Sequence, residues 1–339
     1  QSIDGVTIGV LPETIIRNVS LNVRRDLWTQ VSSSTALDTK ATYLGRVEEF
    51  HGPPDKELSV AAQVSRLKDS LAALADSPED NFLRTSVLNS AVDTAKKINE
   101  LSNFITNLRN DAQDEMQVTV QRVNDLLQVV ANLNDEVRSA ISSGRTSALL
   151  EDQRDDAIQE LSQLIGITFF TRGDGVLVVQ TTEGVELASD TAQTLTFKPA
   201  RVSATTGYPG SAAGVYIGDP ITDPLTAIDI TAREPGGKLG GLIELRDETF
   251  PKQMAQLDEM AHKLALRLEA QGLRLFTNAA GIVPPDTPPD LSTNPPTAVD
   301  YVGFSAVIRV NEAIINNHSL LQNGTYGATL PPGSNEVIR

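Results

Sequence analysis

The sequence predicts an α+β protein: an elongated, discontinuous helical-bundle rod domain carrying a small inserted β domain. Three observations support this. After Pro78 the chain runs to Ser143 without another proline or glycine, and apolar residues recur through it at threes and fours, the spacing that lines one helix face. Between Ile167 and Ile230 the texture changes to Val, Thr and Gly in short alternating runs broken by turn pairs. A glycine-rich junction, Gly236–Gly241, then restores helical periodicity. We therefore expect residues 1–165 with 237–339 to form the helical rod and residues 166–236 the β insertion.

The elements follow in order. After an extended lead, Val6 to Val10, a first helix is expected from Glu13 to Phe50, with Ile16, Val19, Val23, Leu27, Val31, Leu37, Ala41 and Leu44 on its apolar face. Gly52-Pro53-Pro54 stops it. A second helix covers Leu58 to Ala75, with Val64, Leu67, Leu71 and Leu74 on one face. Ser77-Pro78-Glu79 supplies a cap, a proline and early negative charge for a third helix starting at Pro78. Its seam is Ile98, Leu101, Ile105, Leu108, Ala112, Met116, Val120, Val123, Leu127, Val130, Leu133, Val137 and Ile141. Unbroken, about 65 residues at ~1.5 Å each make a rod of roughly 95 Å. Ser147 to Leu164 reads as a helix returning alongside.

In the β region, Thr168–Thr171 and Val176–Val179 flank Arg172-Gly173-Asp174-Gly175, a hairpin pattern. Leu195–Phe197 and Gly214–Ile217 are further strand candidates. Helix resumes over Leu242 to Gly272, then a proline-rich loop (Pro284-Pro285, Pro288-Pro289, Pro295-Pro296) leads to a last helical stretch, Ser305 to Asn316.

Composition excludes much chemistry. Net charge is −16, from 28 Lys+Arg against 44 Asp+Glu, which repels phosphate backbones and argues against nucleic-acid binding. No apolar run approaches the roughly 20 residues of a membrane-spanning helix. Cysteine is absent, so disulfides, thiolate nucleophiles and cysteine-bound metals are unavailable. The three histidines, His51, His262 and His318, lie far apart in sequence, and aromatics are 4%. The chain opens at Gln1 without a basic-then-apolar leader and closes at Arg339 just after a Pro-Pro-Gly-Ser stretch, from which we expect a piece of a longer protein.

Candidate motifs favour plain readings. Gly236–Gly241 lacks the glycine spacing and the Ser/Thr of a phosphate loop. Arg172-Gly173-Asp174 is an adhesion tripeptide, but Asp174-Gly175 is also what a tight turn requires. The carboxylates Asp111, Asp114 and Glu115, and Asp152, Asp155 and Asp156, alternate with Arg109, Arg122 and Arg154, as on solvated, salt-bridged helix faces, and lack calcium-loop spacing. Asn18, Asn317 and Asn323 begin glycosylation sequons of low specificity. Trp28, the one tryptophan, is read as packing. No catalytic, cofactor-binding or metal residue is predicted, and no cofactor.

Four segments, in order, resemble the family of flagellar hook-associated protein 1. They are Leu71–Asp80 followed by Arg84–Leu88; Val123-Asn124-Asp125-Leu126-Leu127 with Leu133-Asn134-Asp135-Glu136-Val137; Leu149–Asp155 followed by Glu160–Leu164; and Gly237–Asp247 with Pro251 and Gln256–Ala261. The third and fourth carry the family's Arg-Asp pairs at Arg154-Asp155 and Arg246-Asp247. Together they span Leu71 to Ala261.

The resemblance implies a structural axial protein of the bacterial flagellum at the junction of hook and filament, not an enzyme. Implied partners are the hook protein, hook-associated protein 3, copies of itself in a ring and an export chaperone, with no nucleic acid or membrane. It implies export to the cell exterior by the flagellar type III route without a cleaved signal peptide, a route that suits a chain without cysteine. The family's terminal inner-core helices are not found here, and the loop at Thr277 to Asp300 is short. Assembly through the inner core is therefore implied only for the intact protein, and this chain alone is expected to be a monomer. The alternative is a flagellin-like adhesin or polysaccharide-binding surface protein acting through the β domain. A sensory coiled-coil region and, more distantly, an enzyme using Asp152 or Asp155 complete the alternatives.

Overall fold

The computed structural model describes residues 21–53, 56, 58–288 and 299–325. The expected lead Val6–Val10, the start of the first helix with Ile16 and Val19, the sequon at Asn18 and Pro295-Pro296 lie outside the described residues. The fold is α+β, dominated by helices, with small antiparallel sheets.

The described residues form two compact units, drawn from residues 21–38, 116–198 and 214–241 in the first and from 39–115, 199–213 and 242–325 in the second. Helices α1 (Leu21–His51) and α3 (Asn81–Ser142) each contribute residues to both.

In the first unit, the C-terminal part of α3 packs with α4 (Ala148–Leu164) and two three-stranded sheets. The first sheet joins β1 (Ile167–Thr171), β2 (Leu177–Thr181) and β3 (Glu186–Ala188) in that order, with Phe169 opposite Val179. Val176 through Val179 are all buried. The second joins β4 (Leu195–Thr196), β5 (Tyr216–Ile217) and β6 (Ile228–Asp229). Sheet and helix meet through close backbone approach: Gly166 N donates to Pro235 O at 2.6 Å. Gly237 has φ +58, and a Cβ there would lie 2.5 Å from Ile165 N, so only glycine fits. The loose phosphate-loop likeness of Gly236–Gly241 thus has a packing cause.

In the second unit, α2 (Val60–Asp76) is capped by Ser59, whose hydroxyl accepts from Ala62 N at 3.2 Å. Ser77 closes α2, and α3 starts at Asn81 rather than Pro78, because Asp80 Oδ1 takes the Phe82 N–H at 2.7 Å and serves as the cap. Along α3, which contributes to both units, the predicted seam is buried from Ile98 through Val137, and Ile141 is half exposed. The single helix expected over Leu242–Gly272 is α5 (Gly237–Glu244), a π-helical turn (Leu245–Thr249) and α6 (Phe250–Ala270). Pro251 at the start of α6 has no N–H and crowds the carbonyl four residues back, and the widened turn just before it relieves that conflict. The last helical stretch is also broken. It runs as α7 (Phe304–Val307), β8 (Arg309–Val310) and α8 (Glu312–Asn316), with α9 (Leu320–Asn323) following. Ile308 is extended, and β8 pairs with β7 (Phe276–Thr277); a β-branched run prefers a strand partner to a helix.

Helix α1 departs most from expectation. Val23, Leu27, Leu37 and Leu44 from its predicted inner face are exposed, while Trp28, Ser32 and Tyr43 are buried. Aromatic burial decides the orientation: the Trp28 and Phe169 rings meet at 4.7 Å, and Tyr43 stands 6.2 Å from Phe250.

Candidate functional site

Several polar side chains of α3 are turned inward, and Asn110, Gln113, Asn124, Asn134 and Arg109 each hold backbone belonging to another segment. In the first unit, Asn124 pairs with Leu195 as a neighbouring strand would: its Nδ2 donates to Leu195 O at 2.9 Å and its Oδ1 accepts from Leu195 N at 2.7 Å. Asn134, fully buried, donates to Leu177 O at 2.9 Å and Ser189 O at 2.8 Å, and accepts from Leu177 N at 3.0 Å. Arg154 of α4 donates to the Asn134 Oδ1 at 2.8 Å and to Gly175 O at 2.9 Å. The Asn134 amide therefore fixes β2 and the segment after β3 against α3, and Arg154, bonded to that amide, holds the β1–β2 turn.

In the second unit, Asn110 holds Val202 in the same two-point fashion, at 3.3 and 3.0 Å, and Gln113 donates to Ala200 O. Arg109 is wholly buried and donates to the carbonyls of Arg246, Ser203 and Thr206 at 3.0, 2.8 and 2.8 Å. Burial lowers its pKa, and three carbonyl dipoles supply the compensation that a buried cation requires. Arg246, in the π-helical turn, forms a bidentate pair with Asp247 at 2.8 and 2.7 Å and donates to Ala213 O at 2.8 Å. Buried Asp258 accepts from Gly303 N and Ser305 N at 2.7 and 2.9 Å, fastening α7 to α6.

The candidates weighed from sequence resolve as follows. Arg109 and Arg154 are not on solvated faces: they are buried and bind backbone carbonyls, because a guanidinium can satisfy several carbonyls from one planar fork. Arg122 does form the expected surface pair, with Glu160 at 2.6 and 2.7 Å, and holds that carboxyl below its usual range. Asp111 pairs with Arg46 at 2.7 Å. Glu115 accepts from the Tyr43 hydroxyl at 2.7 Å, and burial with that acidic partner raises the Tyr43 pKa. Asp155 pairs with Arg24, and Asp114 is exposed.

The Arg172-Gly173-Asp174 turn is tied down. Arg172 binds Asp190 at 2.8 and 3.0 Å and Asp174 at 3.0 Å, while Arg138 reaches Asp190 and Asp135. Arg172 holds the carboxyls of Asp190 and Asp174 below their usual values. The tripeptide's two charged ends thus neutralise each other rather than presenting a separated pair.

His262 is buried, its Nε2 2.7 Å from Pro284 O and its ring stacked on Tyr301 at 4.2 Å. His51 is partly buried, which together with Lys97 lowers its pKa. His318 and the sequon residue Asn317 sit near the C-terminal end of the described chain, where Asn317 Oδ1 accepts from Ser319 Oγ at 2.6 Å; Asn323 lies in α9. Among the described residues, no three His, Asp or Glu side chains form a group that could hold a metal ion, and no helix is long and apolar enough to cross a membrane.

Sequence reasoning missed the buried amides and arginines as framework. A signal was present: Asn124, Asn134, Arg154, Arg246, Asp247 and Asp258 all fall inside the segments that carry the family resemblance. A polar residue embedded in an apolar seam must be paired to be tolerated.

Comparison with known proteins agrees with this architecture. The chain is 24% identical over 270 residues to flagellar hook-associated protein 1 of Bacillus subtilis, covering 74% of this chain and 52% of that protein. Its likeness to the Salmonella typhimurium protein of the same name is 21% over 270 residues, covering 78% of this chain and 46% of that one. The chain thus spans about half the length of the curated relatives it matches. Among solved structures, the flagellar hook junction protein FlgK from Burkholderia pseudomallei shares the fold, with a TM-score of 0.62 and 24% identity over 78% of this chain and 45% of that one. The family model described as the flagellar hook-associated protein FlgK helical domain matches residues 44–280, well over half of the sequence, and the chain belongs to that family.

Proposed function

We propose that the protein to which this chain belongs is a structural axial component of the bacterial flagellum, placed where hook meets filament. The observation that carries this is the family match across residues 44–280, whose buried polar residues hold backbone within each unit instead of converging on a reactive centre. Buried amide and guanidinium anchors suit a part that transmits load, since they lock loop backbone to helix with directional bonds. The proposed partners are the hook protein, hook-associated protein 3 and neighbouring copies of itself, with an export chaperone for the intact protein. The proposed location is the cell exterior, reached by flagellar type III export without a cleaved signal peptide. The self-paired Arg172 and Asp174 give the adhesin alternative little support.

Deleting the gene in the source bacterium tests the proposal. Electron microscopy should then show bare hooks, and flagellin should accumulate in the medium. Intact filaments with normal swimming would overturn it.

A further inference from the structure

The loop between β5 and β6 presents two aliphatic side chains to solvent, Ile221 at 70% and Leu225 at 96% exposure. The loop that holds them is built. Asp219 Oδ1 accepts from Ile221 N and Asp219 O from Asp223 N, both at 2.9 Å, and Asp223 O accepts from Thr226 N and Ala227 N, both at 3.1 Å. Pro220 and Pro224 fix φ at two further positions. Two aliphatic groups held outward on consecutive turns, flanked by Asp219 and Asp223, form a small apolar knob with an acidic collar. Folding itself gains nothing from exposing them.

The second unit carries a matching concavity. Helices α2 and α6 leave a groove of about 540 Å³ lined by Val64, Leu67, Leu71, Leu264 and Leu268, with Lys68 and Asp76 the charged residues in its lining. We propose that the Ile221/Leu225 knob of one copy seats in the α2–α6 groove of the next copy, Lys68 facing the carboxylates of Asp219 and Asp223. This reading rests on the proposed ring of copies and names the surfaces that would touch. Knob and groove are different surfaces, so each copy keeps one of each free. Such a head-to-tail contact propagates, closing into a ring or winding into a helix. Two side chains bury far less than the ~1,200 Å² of stable complexes. The contact therefore fills only when copies are already held side by side, and the chain in dilute solution is monomeric.

The absence of cysteine makes disulfide trapping selective. Leu225→Cys chain is mixed with Leu71→Cys chain in a glutathione redox buffer at high protein concentration. The control pairs Leu225→Cys with Leu149→Cys, an exposed position outside the groove. Circular dichroism melts check that each variant folds, and Leu268→Cys provides a second groove position. Heterodimer should form several-fold faster with the groove variants than with the control. Lys68→Glu should slow it, and Asp223→Lys combined with Lys68→Glu should restore it. Cross-linking at the control rate for both groove positions would overturn the contact. Bare hooks in the deletion strain together with control-rate cross-linking would remove the contact and leave the junction reading standing. Selective cross-linking with intact filaments would keep the contact and remove the junction reading.

Discussion

Asn134 occupies a position in the α3 seam where neighbours at Val130 and Val137 are wholly buried aliphatics. Its carboxamide serves Leu177 N–H and C=O, Ser189 C=O and the Arg154 guanidinium at once. Asn134→Leu keeps the volume but strands those groups in the interior. Each unsatisfied buried group costs about 1–3 kcal/mol, so the variant should lose roughly 3 kcal/mol or more by urea unfolding. Gln128→Leu on the exposed side of the same helix, where the amide only meets Asn132, should change stability by no more than ~0.5 kcal/mol. An Asn134→Leu chain as stable as the parent would show that the network is ornamental. Here lies the limit of what periodicity discloses. The spacing of Ile98 through Val137 says which face turns inward, and it was right for all of them. It says nothing about which backbone an inward amide will meet, because Leu177, Leu195 and Val202 reach α3 from 43, 71 and 92 residues away.

Helix α1 shows the complementary limit at the scale of elements. It carries two stripes: an aliphatic one through Val23, Leu27, Leu37 and Leu44, and a sparser one through Trp28, Ser32 and Tyr43, and the second is buried. Counting apolar residues selects the first. Area selects the second, since one Trp and one Tyr with placed ring partners bury more than scattered aliphatics. Trp28→Ala should therefore cost about 3–5 kcal/mol, and Leu37→Gln about 0.5 kcal/mol or less. Differential scanning calorimetry on the two variants decides the matter; a larger loss for Leu37→Gln would invert the assigned orientation of α1. Where local chemistry is strong, element boundaries were legible, as at the β1–β2 hairpin with its Asp174-Gly175 turn, Gly175 having φ +85. The helix expected over Ser305–Asn316 was not, because its β-branched residues found a strand partner in Phe276–Thr277, which a local reading does not pair with them.

For the whole chain, we propose that residues 166–236 are an insertion in topology whose fold depends on the helices it interrupts. The insertion's ends meet, Gly166 N bonding Pro235 O at 2.6 Å, so removing it and joining residue 165 to residue 237 through a short linker is geometrically easy. Its backbone, however, is held at Leu177 and Ser189 by Asn134, at Leu195 by Asn124, at Ala200 by Gln113, at Val202 by Asn110, and at Ser203 and Thr206 by Arg109. Its sheets have three strands each, and β4, β5 and β6 are two residues long, short of what isolated sheets need to hold themselves. The excised segment 166–236 should therefore show no cooperative thermal transition and collapsed amide dispersion by NMR. The deletion chain should retain helical circular dichroism but melt over a broad range, with Arg109, Asn110, Gln113, Asn124 and Asn134 deprived of the carbonyl partners that the insertion supplies. Replacing those five residues with apolar ones of similar size in the deletion chain should sharpen the transition, because the cost lies in the orphaned polar groups and not in lost volume. A sharp melt from the excised segment alone would instead make it a domain that folds on its own, with the α3 side chains merely resting against it.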